Sequence, residues 1–481
     1  MNDQSIKETN IQLFGFAVRY DKFPFKLGAV LYLISYGLYF LFLDSYFWDD
    51  WIVNYQLSAN EATEYWKTQL GFFPTNRFVE INLLQRNPIA FHVLTLIVFF
   101  LIPVVFFRIS RSISFISQKQ KFYIALLLLV LPINSARVSM ACFRLSYSLL
   151  LFFVAWLILV DKKTASFKYL SIPLFLISFL AQSLIPFFLL PCAHSAYLAY
   201  SKKSTWKHRT VLGSAALILL PLCYYVFVWK FDPPSPERTD YFTPSYSGSV
   251  RAILIMSIAT LVFLVTRWRS HSKNLGWRYQ DLLALSLVLL AVGSFAYMAS
   301  GRLVDISEWM LNFVPGSSDW ESRHQLLLGL GFTLAIAVVI DAMRIDIQKT
   351  MFSVLITACV VLNVSTTSSY YLDSLKQKEF IAAASKIDGL IKDSSVVVID
   401  HTDWLNARGR GIRSYEWKAM LHKATDGVDI EVVDVPEICS EPEKILNQTV
   451  LVIDAPSGRL RALLNRKIDL SILRLDAYLC Y

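Results

Sequence analysis

The sequence predicts an α-helical polytopic membrane protein with a small C-terminal α/β unit, and three observations carry that prediction. Of its 481 residues 55% are hydrophobic and only 17% charged, with a mean hydropathy of +0.46, a balance that no soluble fold of this size needs. Apolar runs recur through residue 370, about eleven of them long enough to cross a bilayer. Basic residues gather in alternate connections between these runs, the pattern that orients helices in a membrane.

Residues 1–24 hold Lys7, Arg19 and Lys22 and are too polar for a signal sequence. No small-residue cleavage pattern follows the first run, which is therefore expected to stay as an anchor. Ile11 to Tyr20 reads either as a short helix on the membrane surface or as a tail. The apolar runs fall near 25–46, 88–107, 122–138, 145–160, 168–182, 183–200, 210–229, 249–266, 281–299, 325–343 and 351–370. The pair meeting at Gln182-Ser183 reads as two spans or as one kinked helix containing Pro173, Pro186 and Pro191.

Alternate connections carry Arg108, Arg111, Lys119 and Lys121; Lys162, Lys163 and Lys168; Lys202, Lys203, Lys207 and Arg209; and Arg267, Arg269, Lys273 and Arg278. These are expected to face the cytoplasm, with the N-terminus, which leaves the chain after Tyr371 outside an inner or plasma membrane. The net charge of +9 then reports topology and gives no support to a nucleic-acid partner. The expected organisation is a membrane region over 25–371 with external loops at 47–87, 231–249 and 301–324, followed by an external unit over 372–481.

Chemistry is expected in the external loops. Asp49 and Asp50 follow the first run between Trp48 and Trp51, so two carboxylates sit close to hydrocarbon, flanked by rings that prefer the membrane interface. They read either as a helix end facing water or as a catalytic base. Farther along the loop, Ser58-Ala-Asn-Glu61 has capping-box spacing ahead of Ala62 to Leu70, and a turn over Gly71 to Phe78 precedes a second amphipathic piece through Gln85. The second loop is Pro-rich and irregular. The short connection near 134–144 should also be external, yet it carries Arg137 and Arg144 without an acid nearby. External arginines of this kind either snorkel to headgroups or hold a lipid phosphate, which a guanidinium grips through paired hydrogen bonds. Arg302, Arg323 and His324, at the edges of the third loop, are candidates for the same anion.

An acidic pair beyond the first span in Phe47-Trp-Asp-Asp50, a long first loop with Arg77 late in it, a many-span core, an arginine heading a late span in Ser322-Arg-His-Gln325, and an external C-terminal unit together resemble the GT-C superfamily of integral membrane glycosyltransferases. More narrowly, the chain is similar to bacterial enzymes that modify O-antigen or other surface glycans with polyprenyl-phosphate sugars. The resemblance covers roughly residues 25–370 as architecture, and its one local motif is the double Asp.

The resemblance implies an inverting transfer of a sugar from a polyprenyl-phosphate donor to a glycan or lipid-linked acceptor, among membrane lipids. It makes Asp49 the base that takes the acceptor proton and Asp50 its support. Developing phosphate charge would fall to Arg137, Arg144, Arg302 and Arg323, leaving Trp48, Trp51 and Arg77 to the acceptor side or the loop. No cofactor is called for; some relatives use a divalent metal, for which Asp319 or Glu321 would have to join the acidic pair. The cytoplasmic connections are short and leave no room for a nucleotide-sugar domain.

In the C-terminal unit, Lys376 to Ile391, Tyr415 to Lys423 and Pro442 to Asn447 read as helices, and Ser395 to Asp400, Asp429 to Val433 and Thr449 to Asp454 as strands, an alternation that implies an α/β layer. His401, Asp403 and Asp454 follow strand ends, where such sheets often bind ligands or simply place loop polar groups. The unit is expected to shape acceptor access without taking part in chemistry. Cys142, Cys192, Cys223 and Cys359 read as apolar filler, and Cys439 and Cys480 as a candidate disulfide in an oxidising compartment. His92 and His194 read as structural. Two other classes compete: a polysaccharide polymerase or ligase, in which the third loop would dominate, and a lipid or glycan transporter, which would need mid-membrane charge or repeated halves that the spans do not show.

Overall fold

The computed structural model describes residues 10–51, 54–55, 87–161, 167–201, 219–224, 226, 245–272, 277–301, 325–391, 395–433, 448–454, 465 and 471–475. It is mostly helical. The first described residues form instead a β-hairpin, β1 (Asn10–Leu13) and β2 (Phe16–Arg19), paired antiparallel with Leu13 opposite Phe16. Phe14 and Gly15 both take positive φ, 49° and 78°, as a two-residue type I′ turn requires. Leu13, Val18 and Tyr20 are buried while their neighbours face out, so the period is two and the surface helix considered for Ile11 to Tyr20 does not form.

Among the described residues six helices are long and apolar enough to cross a membrane, and three shorter apolar helices accompany them. The six are α2 (Pro88–Ser110), α4 (Phe143–Val160), α8 (Tyr246–Ser272), α9 (Tyr279–Ala299), α10 (Gly329–Ala342, extended back to Gln325 by a tight turn) and α11 (Ile345–Ala384). The first run gives only α1 (Phe25–Tyr36), which tightens into a 3-10 turn at Gly37–Leu41. The run near 122–138 gives α3 (Gln118–Val130), because Leu131, ahead of Pro132, turns extended. The runs near 168–182 and 183–200 form α5 (Ser171–Ser178), α6 (Leu184–Phe187) and α7 (Leu189–Ser201), interrupted between Ser178 and Leu184. Residues 210–229 lie largely outside the described residues.

α3 is the hub. A capping box starts it, with Ser117 Oγ accepting from the Gln120 amide at 3.1 Å and Gln120 Oε1 from the Ser117 amide at 3.0 Å. Gln120 through Leu127 are all buried, against α1, α2, α10 and α11. At the rim, α8 buries only Gly248, Ala252, Ala259 and Ser270, a stripe of small residues laid on α9, and exposes Ile253, Leu254, Leu261 and Leu264. α9 and α10 meet through glycine on both sides. A Cβ on Gly293 would stand 2.7 Å from the Leu327 carbonyl oxygen, and one on Gly331 2.6 Å from Leu290 Cγ. Only residues without side chains allow that approach.

α11 runs 40 residues without a break, about 60 Å at 1.5 Å per residue. Near its start Gln348 bonds the Asp341 carbonyl and Lys119 pairs with Asp341 at 3.1 Å. Its far end projects beyond the bundle and forms one wall of the C-terminal unit, so the span near 351–370 and the helix expected from Lys376 are one rod crossing residue 371. A short helix, α12 (Asp388–Ile391), leads to β3 (Ser395–Asp400), α13 (Ser414–Ala424), β4 (Val432–Val433), β5 (Gln448–Asp454) and β6 (Ser471–Leu475). The sheet order is β4-β3-β5-β6, parallel except for β6, with Val396 beside Val432 and Thr449. The β-branched runs SVVVID and TVLVID form the two central strands. The strand expected over Asp429 to Val433 shrinks to two residues, β6 was not anticipated, and Pro442 to Asn447 lie outside the described residues.

The second hydrophobic core joins this sheet to the start of the chain. Tyr46 and Trp51, which follow α1, pack with Phe380 and Ala384 of α11, Trp417 and Met420 of α13, and Ile453 of β5.

Candidate active site

The loop that follows α1 is folded tightly on itself, and its two acids point to different surroundings. Asp50 is 1% exposed and is held from three sides. Its carboxylate accepts from the Phe47 amide at 3.1 Å, from Ser139 Oγ at 2.8 Å and from the Met140 amide at 3.0 Å. Those last two bonds join the acidic loop to the turn carrying Arg137. His92 makes the same junction from α2, with its ring nitrogens 2.7 Å from the Leu43 carbonyl and 3.0 Å from the Val138 carbonyl. Asp50 is thus a structural bolt whose buried charge is held by donors.

Asp49 is partly exposed and faces the C-terminal unit, where the Tyr415 hydroxyl donates to its Oδ1 at 3.0 Å. Burial and the neighbouring Asp49 and Glu416 carboxylates push the Tyr415 phenol well above its ordinary value, so it stays a donor. Tyr415 is the second residue of α13, and Glu416 beside it is fully buried. Glu416 receives the Arg413 amide at 3.2 Å as the helix cap, the Trp48 amide at 3.2 Å and the Arg410 guanidinium at 2.8 Å. Burial nevertheless holds its carboxyl above the usual carboxylate range, against the pull of Arg410.

Trp48 stands at φ 52°, the left-handed region uncommon for a residue with a side chain. Its amide bond to Glu416, the Arg410 guanidinium 5.2 Å from its ring and the Tyr370 ring 5.8 Å away hold it there. Trp48 and Trp51 are 5% and 2% exposed, so both lie inside the protein and neither sits at a lipid interface as their position suggested. Each ring finds a protein partner there, Arg410 for Trp48 and Tyr46, 5.2 Å away, for Trp51.

Behind this loop lies a buried ion network. Arg410 pairs with Asp373 of α11 at 2.9 Å as well as with Glu416, and Lys376 pairs with Asp400 at 2.5 Å and bonds Asn406 at 2.6 Å. Burial alone would raise the Asp400 carboxyl, but the Lys376 ammonium and the Thr402 donors hold it below its ordinary range.

Arg137 lies with its guanidinium carbon 3.9 Å from the Tyr36 ring centroid and 4.9 Å from that of Phe99. It borders two cavities. One, about 10 Å³, is polar and is also lined by Asn134, Asn363, Thr367 and Arg408 of the C-terminal unit. The other, about 40 Å³, is apolar, among Phe99, Leu128, Phe153, Leu327 and Leu330. None of the residues lining either cavity is acidic. Arg408 adopts φ 53° and donates its amide to Ser369 Oγ at 2.8 Å, which aims the C-terminal unit's basic turn at the bundle.

The structure thus gathers Asp49, Asp50, Trp48, Trp51 and Arg137 at one end of the molecule. Arg144, partly buried at the start of α4, lines neither cavity. Arg77, Arg302, Arg323 and His324 lie outside the described residues, as do Asp319, Glu321, Cys439 and Cys480. Among the described residues no cluster of three or more His, Cys, Asp or Glu has the arrangement of a metal site. Tyr415, Arg408 and Arg410 were not singled out in the sequence. Their signal is the stretch Arg408-Gly-Arg-Gly-Ile-Arg413, three cations and two glycines directly before a helix. His401 and Asp403 are exposed, and Tyr415 of the C-terminal unit hydrogen-bonds the acidic loop. No protein family profile, no curated protein and no solved structure matches this chain.

Proposed function

We propose that this protein is an inverting membrane glycosyltransferase that moves a sugar from a polyprenyl-phosphate donor to a glycan or lipid-linked acceptor at the external face of the membrane. The observation that carries the reading is the division of labour in the acidic pair: Asp50 is consumed by structural hydrogen bonds, whereas Asp49 is partly exposed and oriented by Tyr415. A base needs that placement, with one carboxylate oxygen held by a phenol and the group still within reach of an incoming hydroxyl.

In this reading Asp49 draws the proton from the acceptor hydroxyl as its oxygen attacks the anomeric carbon. The bond from that carbon to the donor phosphate breaks, and the electron pair leaves on the phosphate. Arg137 and Arg408 are the cations toward which that charge develops. The apolar cavity on the other side of Arg137 has the character a hydrocarbon tail requires. At its present volume it must widen between α2 and α4 to admit one.

Topology supports the same reading. Arg111, whose guanidinium bonds the Asp21 carbonyl, and Lys119, paired with Asp341, lie at the hairpin end of the bundle, and the acidic loop lies with the sheet at the far end of α11. A rod of about 60 Å exceeds the roughly 30 Å hydrocarbon core, so the two ends fall on opposite sides. The basic end belongs in the cytoplasm. The test is Asp49→Asn in the native host, with surface glycans compared by mass spectrometry. Loss of one added sugar from otherwise intact glycans, with the protein still in the membrane, is the expected result; retained modification would overturn the assignment.

A further inference from the structure

A second cleft opens beside the acidic loop, and none of the residues discussed as base or phosphate ligands lines it. It measures about 280 Å³, close to the lower limit of about 300 Å³ for small-molecule sites. Asp44, Tyr46 and Trp51 of the loop form one side, Gln377 and Lys378 of α11 another, and Lys423 of α13 closes it. Tyr46, Trp51 and the nearby Tyr55 form a cluster with ring centroids 5.2 to 5.3 Å apart. The Lys423 ammonium stands 5.0 Å from Tyr55 and 5.8 Å from Tyr46. Asp44 and Lys378 pair at 2.7 Å on the exposed rim, so their charges offset each other. Trp51 is 2% exposed, yet its indole N–H finds no acceptor among the described residues. A buried donor without a partner is costly unless a ligand supplies one.

Closely spaced donors and acceptors of both kinds, with the unpartnered indole N–H among the lining residues, suit a ligand with many hydroxyls. We infer that this cleft between Trp51, Lys378 and Lys423 binds a saccharide, and that it is the subsite for the acceptor chain. The acceptor assignment rests on the transferase reading; saccharide binding itself does not. Lys423 and Tyr415 are eight positions apart on α13, about 12 Å along the helix. Trp51 and Asp49 are two residues apart in one loop. A sugar held in the cleft therefore lies along the acceptor from the hydroxyl that meets Asp49, and the cleft selects the chain rather than the reacting unit.

The test uses the full-length protein in nanodiscs. The probe is the oligosaccharide pool released by mild acid from the surface glycan of cells lacking the protein, with binding read by saturation-transfer NMR. The wild type is expected to show transfer to ring protons, and Trp51→Phe to weaken binding about fivefold, the loss of one ordinary hydrogen bond. Because Trp51 is a core residue, Lys378→Met on the exposed rim repeats the measurement on a surface position and is expected to weaken binding similarly. Asp49→Asn should bind as the wild type does. Absence of saccharide binding, or binding that both cleft variants leave unchanged, overturns the inference, even if Asp49→Asn abolishes sugar addition in cells. Cleft-dependent binding in a protein whose Asp49→Asn variant still modifies glycans would instead remove the transferase reading and leave the saccharide site standing.

Discussion

Neighbouring residues of the same type can have unrelated tasks, and Asp49 and Asp50 differ only in what surrounds them. Asp50 is the acceptor of three hydrogen bonds from two segments. Replacing it by Ala removes the acceptor of the Phe47 and Met140 amides and the Ser139 hydroxyl, a loss of about 1 to 3 kcal/mol for each donor left buried without a partner. Asp50→Ala is therefore expected to lower the thermal melting point of the purified protein, whereas Asp49→Asn should not. Arg408 offers a cleaner functional probe because its backbone already has the glycine-like φ of 53°. Arg408→Gly removes the guanidinium without straining the turn. If the cation serves the donor phosphate, KM for the lipid-linked sugar should rise about tenfold, the worth of a charge-assisted hydrogen bond, with melting unchanged. A fall in melting with unaltered KM would make Arg408 structural.

At the scale of elements, the junction between α11 and the sheet is held by charge as well as by packing, and that gives it an acid-side weakness. The Asp400 carboxyl is held below its ordinary value by Lys376. A carboxylate depressed in the folded state contributes stability at pH above the unfolded value and loses it as pH falls through the folded one. Glu416, raised by burial, has the opposite sign and offsets part of this. The melting point is expected to decline as the pH drops below about 4, the unperturbed aspartate range. Asp400→Asn should flatten that decline while lowering stability at neutral pH, as differential scanning fluorimetry across pH would show. Elements whose residues speak for themselves were legible in the sequence: SVVVID and TVLVID are strands because a β-branched run between turns has few other outcomes. The N-terminal hairpin was not, because Phe14 supplies a positive φ that residues with side chains seldom adopt. The unbroken α11 was hidden for a different reason. Its composition changes from apolar to charged near residue 371, which reads as a boundary, although helix geometry takes no notice of the change.

For the whole molecule, the acidic loop was visible from its place after the first apolar run, but its surroundings were not. Tyr415, Glu416 and Arg410 come from the far end of the chain, and no local pattern joins them to Asp49. Long-range partners of this kind follow from topology alone. The topology has its own test. Ser385, exposed just past the end of α11, should react as Ser385→Cys with a membrane-impermeant maleimide added to intact cells whose outer barrier is permeabilised. Labelling only after the inner membrane is opened would put the sheet in the cytoplasm and reverse the proposed orientation.

The borrowing of Tyr46 and Trp51 by the C-terminal core also orders events at the ribosome. The segment bearing the two acids leaves the translation machinery early, but the surfaces that shape it are made much later, with α13 and β5. A chain truncated before α13 carries its acids with nothing to aim them. The loop gains its packed geometry only once α13 and β5 have been made.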